Sequence, residues 1–251
     1  MKPDEQFVGS DESLDTFYRG RILVLQKKRG YRFSIDAPLL ANFIRTGPGD
    51  ELLEMGAGSG IISLLLSIKP FRHITAVEIQ PALVNMAERS IRLNGLENRI
   101  TLLQADLRLF NPGKKFDVVF SNPPYIAGNR GRLSRDEEKS IAKHELKCNI
   151  FDIMRRTGDL LMANGKSFFI FPAHRRKDFT KAVHLAGLHI QVVREVRPRR
   201  DEPANFFLFA CGFQQRKVEA LPPLVLFKAD GTYTDETENI FSGRLNAENT
   251  A

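Results

Sequence analysis

Near the middle of the chain stands the stretch Phe120-Ser121-Asn122-Pro123-Pro124-Tyr125. An asparagine side-chain oxygen and the carbonyl of the next residue can each accept one N–H proton, so Asn122 and Pro123 can hold a planar NH2 group by both hydrogens. Such a nitrogen is a poor nucleophile because its lone pair is delocalised into the attached π system. Gripping both protons turns that lone pair toward an electrophile. Pro123 and Pro124 stiffen the loop by fixing φ, and Tyr125 can stack on the flat group that carries the nitrogen. Stacking of this kind is worth roughly 1 to 3 kcal/mol for a nucleic-acid base. No general base is needed before attack, since the nitrogen becomes acidic once its new bond forms, and catalysis is by positioning and electrostatics. Asparagine before prolines also begins ordinary turns, so its place in the fold decides between the two.

A second constellation is Glu54-Met55-Gly56-Ala57-Gly58-Ser59-Gly60. Glycines between a strand and a helix allow positive φ and let a ligand lie against main-chain amides at a helix N-terminus. The Gly-x-Gly-x-Gly spacing is not that of a dinucleotide pyrophosphate loop, and no Gly-Lys-Ser/Thr follows to cradle a triphosphate. Glu78 lies twenty positions after Gly58, where doubly wound folds place a carboxylate that accepts ribose hydroxyl protons. Asp106, ending the next strand, can accept the exocyclic amine of an adenine. With Ile79 and Leu107 beside these acids, Gly56, Ala57, Gly58, Gly60, Glu78 and Asp106 describe a site for one adenosine.

These residues need an α/β frame, and the apolar pattern supplies one by alternating short runs with helix-length periodic stretches. It predicts a strand at 22–26, a helix opening near Asp36 and a break at Gly47-Pro48-Gly49. A βαβαβ half follows: strands at 51–54, 73–79 and 100–104, with helices at 61–68 and 81–94. Then come a strand at 116–121, an irregular polar stretch, a helix at 151–162, a strand at 167–171, a helix at 175–185, and strands at 190–196 and 206–212. The expected domain spans 36–215, with a basic extension at 1–35 packed on it and an acidic, polar tail at 216–251.

The chain has 251 residues, 42% hydrophobic and 27% charged, which suits one large domain with extensions. No apolar run reaches the roughly 20 residues that cross a bilayer, and the start lacks a secretory pattern, so no membrane partner and a cytoplasmic location are expected. Cys148 and Cys211 are too few and too isolated for a zinc site, so no metal is expected. The net charge is +7 and the pI about 9.5, which favours a polyanionic partner. The charge is uneven: Arg19, Arg21, Lys27, Lys28, Arg29 and Arg32 crowd the N-terminal side, whereas Asp230, Asp235, Glu236, Glu238 and Glu248 mark the C-terminal end.

Over residues 51–125 the spacing of the glycine turn, the strand-end acids and Asn-Pro-Pro-Tyr resembles class I S-adenosylmethionine-dependent methyltransferases. The resemblance implies a Rossmann-like, doubly wound sheet of about seven strands with helices on both faces, the last strand antiparallel, and a small N-terminal extension. It implies S-adenosylmethionine as cofactor, with Glu54 near the ammonium of its methionine. The tetrapeptide is similar to that of adenine-N6, guanine-N2 and glutamine-amide methyltransferases and does not choose among them. Further stretches do: Gly30 to Ala41, Ile141-Ala142-Lys143-His144-Glu145-Leu146, Glu202-Pro203-Ala204-Asn205-Phe206 and Leu221-Pro222-Pro223-Leu224 are similar to the tRNA(Val) adenine-N6 methyltransferase family. That likeness places Phe33, Ser34 and Asp36 beside the cofactor pocket, Asn122 between cofactor and target, and Pro123, Pro124 and Tyr125 around the base. The chain departs from the family at Glu202, where a basic residue is common, and at Glu54, where Asp is common. A tRNA partner is implied. Flipping its base costs a few kcal/mol, which basic surface must offset. Candidates are Arg19, Arg21, Lys27, Lys28, Arg29, Arg130, Arg132, Arg135, Arg194, Arg197, Arg199 and Arg200. The alternatives are methylation of a protein glutamine or of DNA, and a non-catalytic RNA-binding protein on the same fold.

Overall fold

The computed structural model describes residues 7–29, 35–123 and 149–244. Its centre is an eight-stranded sheet made of β3 (Glu51–Met55), β4 (His73–Glu78), β5 (Ile100–Gln104), β6 (Phe116–Ser121), β7 (Leu161–Pro172), β8 (His189–Arg197), β9 (Phe206–Gly212) and β10 (Glu219–Val225). The order across the sheet is β10-β8-β9-β7-β6-β3-β4-β5. β9 runs antiparallel to both its neighbours, and the other pairs are parallel. The antiparallel strand is thus the last of the seven expected, and β10 is an eighth.

The continuous apolar run Phe168 to Phe171 fits a strand covered on both faces. Neighbouring residues of one strand serve opposite cores. Leu52, Ile74, Phe120 and Phe168 pack with α1 (Asp36–Phe43) and α2 (Ile61–Leu66) on one face. Leu53, Val77, Val119 and Phe169 pack with α4 (Ile150–Leu160) and α5 (Arg176–Leu185) on the other. α3 (Pro81–Leu93) begins on proline, whose missing N–H costs nothing at that position. α4 begins with a reciprocal capping box between Asn149 and Asp152.

Three segments differ from expectation. The N-terminal extension is a hairpin, β1 (Glu12–Phe17) with β2 (Ile22–Lys27), turning through Tyr18 and Arg19 at φ of 52° and 59°. β1 was illegible because Glu12 occupies a buried position that an apolar residue would normally mark. β7 extends back to Leu161 through Asn164-Gly165, a pair that reads as a turn. Gly165 belongs there because a Cβ would sit 2.9 Å from the Asp117 carbonyl. The polar tail contains β10 and α6 (Asp235–Ser242). Pro222 and Pro223 are tolerated because β10 is an edge strand. The tail's acids, Asp235, Glu236 and Glu238, occupy the first turn of α6, where the helix dipole favours negative charge.

Candidate active site

β3 is flanked by β4 and β6, and the chain winds outward in opposite directions from it, so the crevice at the carboxyl ends of β3 and β6 is the topological switch point. The strands end in register: Glu54 lies opposite Phe120, Met55 opposite Val77, and Glu78 opposite Gln104. The glycine turn, Glu78, Asp106 and Asn122 therefore share one edge.

The glycine turn leaves β3 with Gly56, Gly58 and Gly60 at φ of 73°, 57° and 76°, a region other residues enter only at a cost. The Gly56 and Ala57 amides donate to the Val77 carbonyl, both at 2.9 Å, which folds the turn over the end of β4. The position a Cβ would take on Gly56 has nothing within 4 Å, so the glycine leaves open space beside its backbone. Ala57 is buried. Glu78 is clamped by main-chain amides: its Oε2 accepts from Gly58 at 2.8 Å, and its Oε1 from Ile79 and Gln80 at 2.9 Å each. Asp106 lies two residues beyond the end of β5, with its carboxylate forked by Arg108 Nε and Nη2, at 2.6 Å to the latter. Leu107 is buried beside it.

Glu54 takes a different place. It is 1% exposed, and its carboxylate accepts from Ser63 Oγ on the helix behind the turn. Burial pushes its carboxyl up to about 8, against the Ser63 hydrogen bond and with a smaller push from the charge on Glu78. It lies under the turn as a neutral acid at neutral pH.

Asn122 follows β6. The preceding Ser121, fully buried, donates to the Met55 carbonyl at 2.6 Å and so ties this strand end to the start of the glycine turn. Asn122 Nδ2 donates to Asp36 Oδ2 at 2.8 Å. Asp36 opens α1 and is 2% exposed. The far end of α1 is held by Lys69, whose Nζ donates to the carbonyls of Ala41, Asn42 and Ile44 at 2.6 to 2.8 Å. With its amide nitrogen occupied, Asn122 presents Oδ1, which is buried and has no hydrogen-bond partner. Among the described residues only Ser59 Oγ, in the glycine turn, and Ser13 Oγ share that state. Buried polar atoms are nearly always paired, so each of these atoms has an acceptor or donor position left for a water or a ligand to fill. Pro123 is buried next to Asn122.

Sequence reasoning had assigned Asp36 to the cofactor side through resemblance, and its bond to Asn122 was not foreseen. Ser121 and Ser63 were missed as well, although Ser121 stood within the quoted stretch. Phe33, Ser34, Pro124, Tyr125, His144 and the basic candidates Arg130, Arg132 and Arg135 lie outside the described residues. Of the other basic candidates, several are engaged within the fold. Arg21 donates to the Gly243 carbonyl, Lys27 pairs with Asp11 and Glu12, Arg194 with Glu236, Arg197 with Glu195 and Arg199 with Glu202.

Residues 32–164 match the model of the methyltransferase small domain family. The chain belongs to that family. It is a methyltransferase of class I architecture, and S-adenosylmethionine is its methyl donor. It is 29% identical over 181 residues to a tRNA1(Val) (adenine(37)-N6)-methyltransferase of Vibrio cholerae, covering 72% of this chain and 75% of that one. A protein of the same description from Shewanella sediminis is 23% identical over 226 residues, covering 85% and 92%. The fold resembles that of a predicted O-methyltransferase of Agrobacterium tumefaciens, with a TM-score of 0.66, 20% identity and coverage of 83% and 96%. Among the described residues no helix is long and apolar enough to cross a membrane, and no cluster of His, Cys, Asp and Glu could hold a metal ion.

Proposed function

We propose that this methyltransferase modifies N6 of an adenosine in tRNA, the anticodon-loop adenosine of a valine tRNA, with Asn122 orienting the acceptor amine. The observation that carries this reading is the divided amide of Asn122: Nδ2 bound to Asp36 and Oδ1 buried without a partner. An oxygen in that state suits an N–H of a planar amine, and the relatives, tRNA adenine-N6 methyltransferases, suggest the class of amine.

S-adenosylmethionine supplies an electrophilic methyl carbon on a sulfonium. The open glycine turn fits it, since Gly56, Ala57, Gly58 and Gly60 offer main-chain surface without side chains in the way. Glu78, immobilised by three amides, keeps lone pairs that would accept ribose hydroxyl protons, and Asp106 would accept from the adenine amine, with Ile79 and Leu107 beside these acids to hold the ring. Glu54 braces the turn from behind, toward the methionine end. On the acceptor side, Asn122 Oδ1 and the Pro123 carbonyl would take the two N–H protons of the target, and stacking on the base is the role the resemblance implies for Tyr125. With both protons held, the lone pair would face the methyl carbon, so that the N–C bond would form as the S–C bond breaks, leaving the neutral thioether, and the nitrogen's extra proton would pass to water.

The test is to incubate the protein with tritium-labelled donor and unmodified total tRNA, digest to nucleosides and identify the labelled one. Label in N6-methyladenosine is the expected result. Label in another nucleoside, or only in added protein, overturns the assignment.

A further inference from the structure

α5 buries Phe179, Ala182 and Val183 and turns Arg176, Lys177, Thr180, Lys181 and His184 to the outside, where they line a shallow depression. Their spacing, one and four residues apart, makes a continuous stripe along one side of the helix. The acid within α5, Asp178, is taken by Arg175 at 3.1 Å. Among the described residues neither Lys177, Lys181 nor Arg176 has a carboxylate in salt-bridge reach, and the Arg176 guanidinium lies over the Phe207 ring at 4.7 Å. The contrast with Arg21, Lys27, Arg194, Arg197 and Arg199 is direct, because those cations are satisfied inside the fold. Cations held close together on a rigid helix repel one another, and a polyanion laid along them relieves that repulsion.

The location connects the stripe to the site. β7 faces Ser121 of β6 at Phe169 and Phe207 of β9 at Phe171. Phe207 therefore lies two strands from β6, about 10 Å across the sheet at the usual strand spacing, near the edge from which Asn122 leaves. From Arg176, over that ring, the stripe runs about 12 Å along the helix to His184, away from the edge.

We propose that this face of α5 holds the phosphate backbone of the RNA stem whose loop delivers the target base to Asn122. The proposal rests on the tRNA reading above and adds where the stem lies. Phosphate contacts of this type carry no sequence information and show as salt dependence.

The experiment measures binding of an unmodified tRNA transcript to the wild type, to K177E/K181E and to the charge-preserving K177R/K181R across a series of salt concentrations, alongside donor affinity. The acidic pair is expected to weaken RNA binding about tenfold or more at 0.1 M salt and to make the plot of log K against log salt shallower by about one to two. The arginine pair should retain binding, and donor affinity should be equal in all three. RNA affinity and salt slope that are unchanged in K177E/K181E overturn the proposal, as does equal loss in the arginine pair. Because binding is read without turnover, a protein that binds tRNA through α5 yet labels no adenosine would sink the substrate reading and leave this surface standing.

Discussion

In the proposed site Asn122 divides its two amide atoms between two tasks, Nδ2 to Asp36 and Oδ1 to the acceptor amine, and the bond to Asp36 holds that division. If the bond to Asp36 were lost, the amide could rotate and offer N–H where an acceptor is needed. Asp36→Ala is expected to lower kcat by about 10- to 100-fold with donor affinity held within about threefold, since misplacement at a reacting centre costs that much. Asp36→Asn, which can still accept through its own Oδ1, should keep most of the rate. A loss of donor affinity instead of kcat would assign Asp36 to the donor. Glu54 makes a second prediction, through pH. Its folded carboxyl is raised from an ordinary 4.5 to about 8, so its contribution to stability is fully present below 4.5 and is lost as pH rises through 8. Glu54→Gln, which can still accept from Ser63, should raise Tm relative to the wild type by a margin that grows between those limits and is flat above them. The margin is roughly 2 to 4 °C per kcal/mol recovered, and a constant offset would contradict the burial argument. Asn122, Glu78, Asp106 and the glycines could be singled out from the sequence because their types and spacing suggest a chemistry, and the fold brings them to one edge of the sheet. Glu54 was legible only as a strand-end acid. Its burial depends on Ser63, nine residues along on another element, and spacing carries no sign of that bond.

At the scale of elements, the glycine turn and α1 hold the residues of the proposed site, and the N-terminal hairpin packs on α3. The hairpin is joined to α3 at three points. Glu12 takes a two-pronged ion pair from Arg89 at 2.6 and 2.8 Å, Leu23 exchanges hydrogen bonds with Asn94, and the Leu25 amide donates to Ser90 Oγ. The Arg89 guanidinium holds the Glu12 carboxyl down to about 2, so this anchor is present above pH 4.5 and is lost only as pH falls through 2. Arg89→Met leaves Glu12 at 4% exposure without its main cation and is expected to destabilise the protein by about 3 kcal/mol, with faster amide exchange at residues 22–27. Unchanged exchange there would mean that the apolar contacts of Val24 and Leu25 hold the hairpin alone. The periodic segments β3 to β6 and α2 to α5 could be read from sequence because tertiary packing agrees with their local pattern. β1, the start of β7 and β10 could not, because each depends on a partner distant in the chain: Arg89 for Glu12, β6 for residues 161–166, and β8 for the prolines of β10.

At the scale of the whole molecule, one edge of one sheet gathers the residues proposed for the donor pocket and those proposed for the acceptor grip, and the two sets are built separately. The donor side hangs from β3, β4 and β5, and the acceptor side from β6 and the start of α1. Ser121 joins them through the Met55 carbonyl. The α/β order was legible in advance, whereas the internal pairs made by several of the basic residues were not. Charge counted along the chain does not distinguish cations spent on internal pairs from those left facing solvent on α5. Separate construction means that the acceptor grip can be removed without emptying the donor pocket. The most direct test measures donor affinity and single-turnover methyl transfer to unmodified tRNA on the same Asn122→Ala protein. Transfer should fall by about 100-fold or more while the donor Kd stays within about threefold. A variant that keeps most of its transfer rate would contradict the role assigned to the Asn122 oxygen.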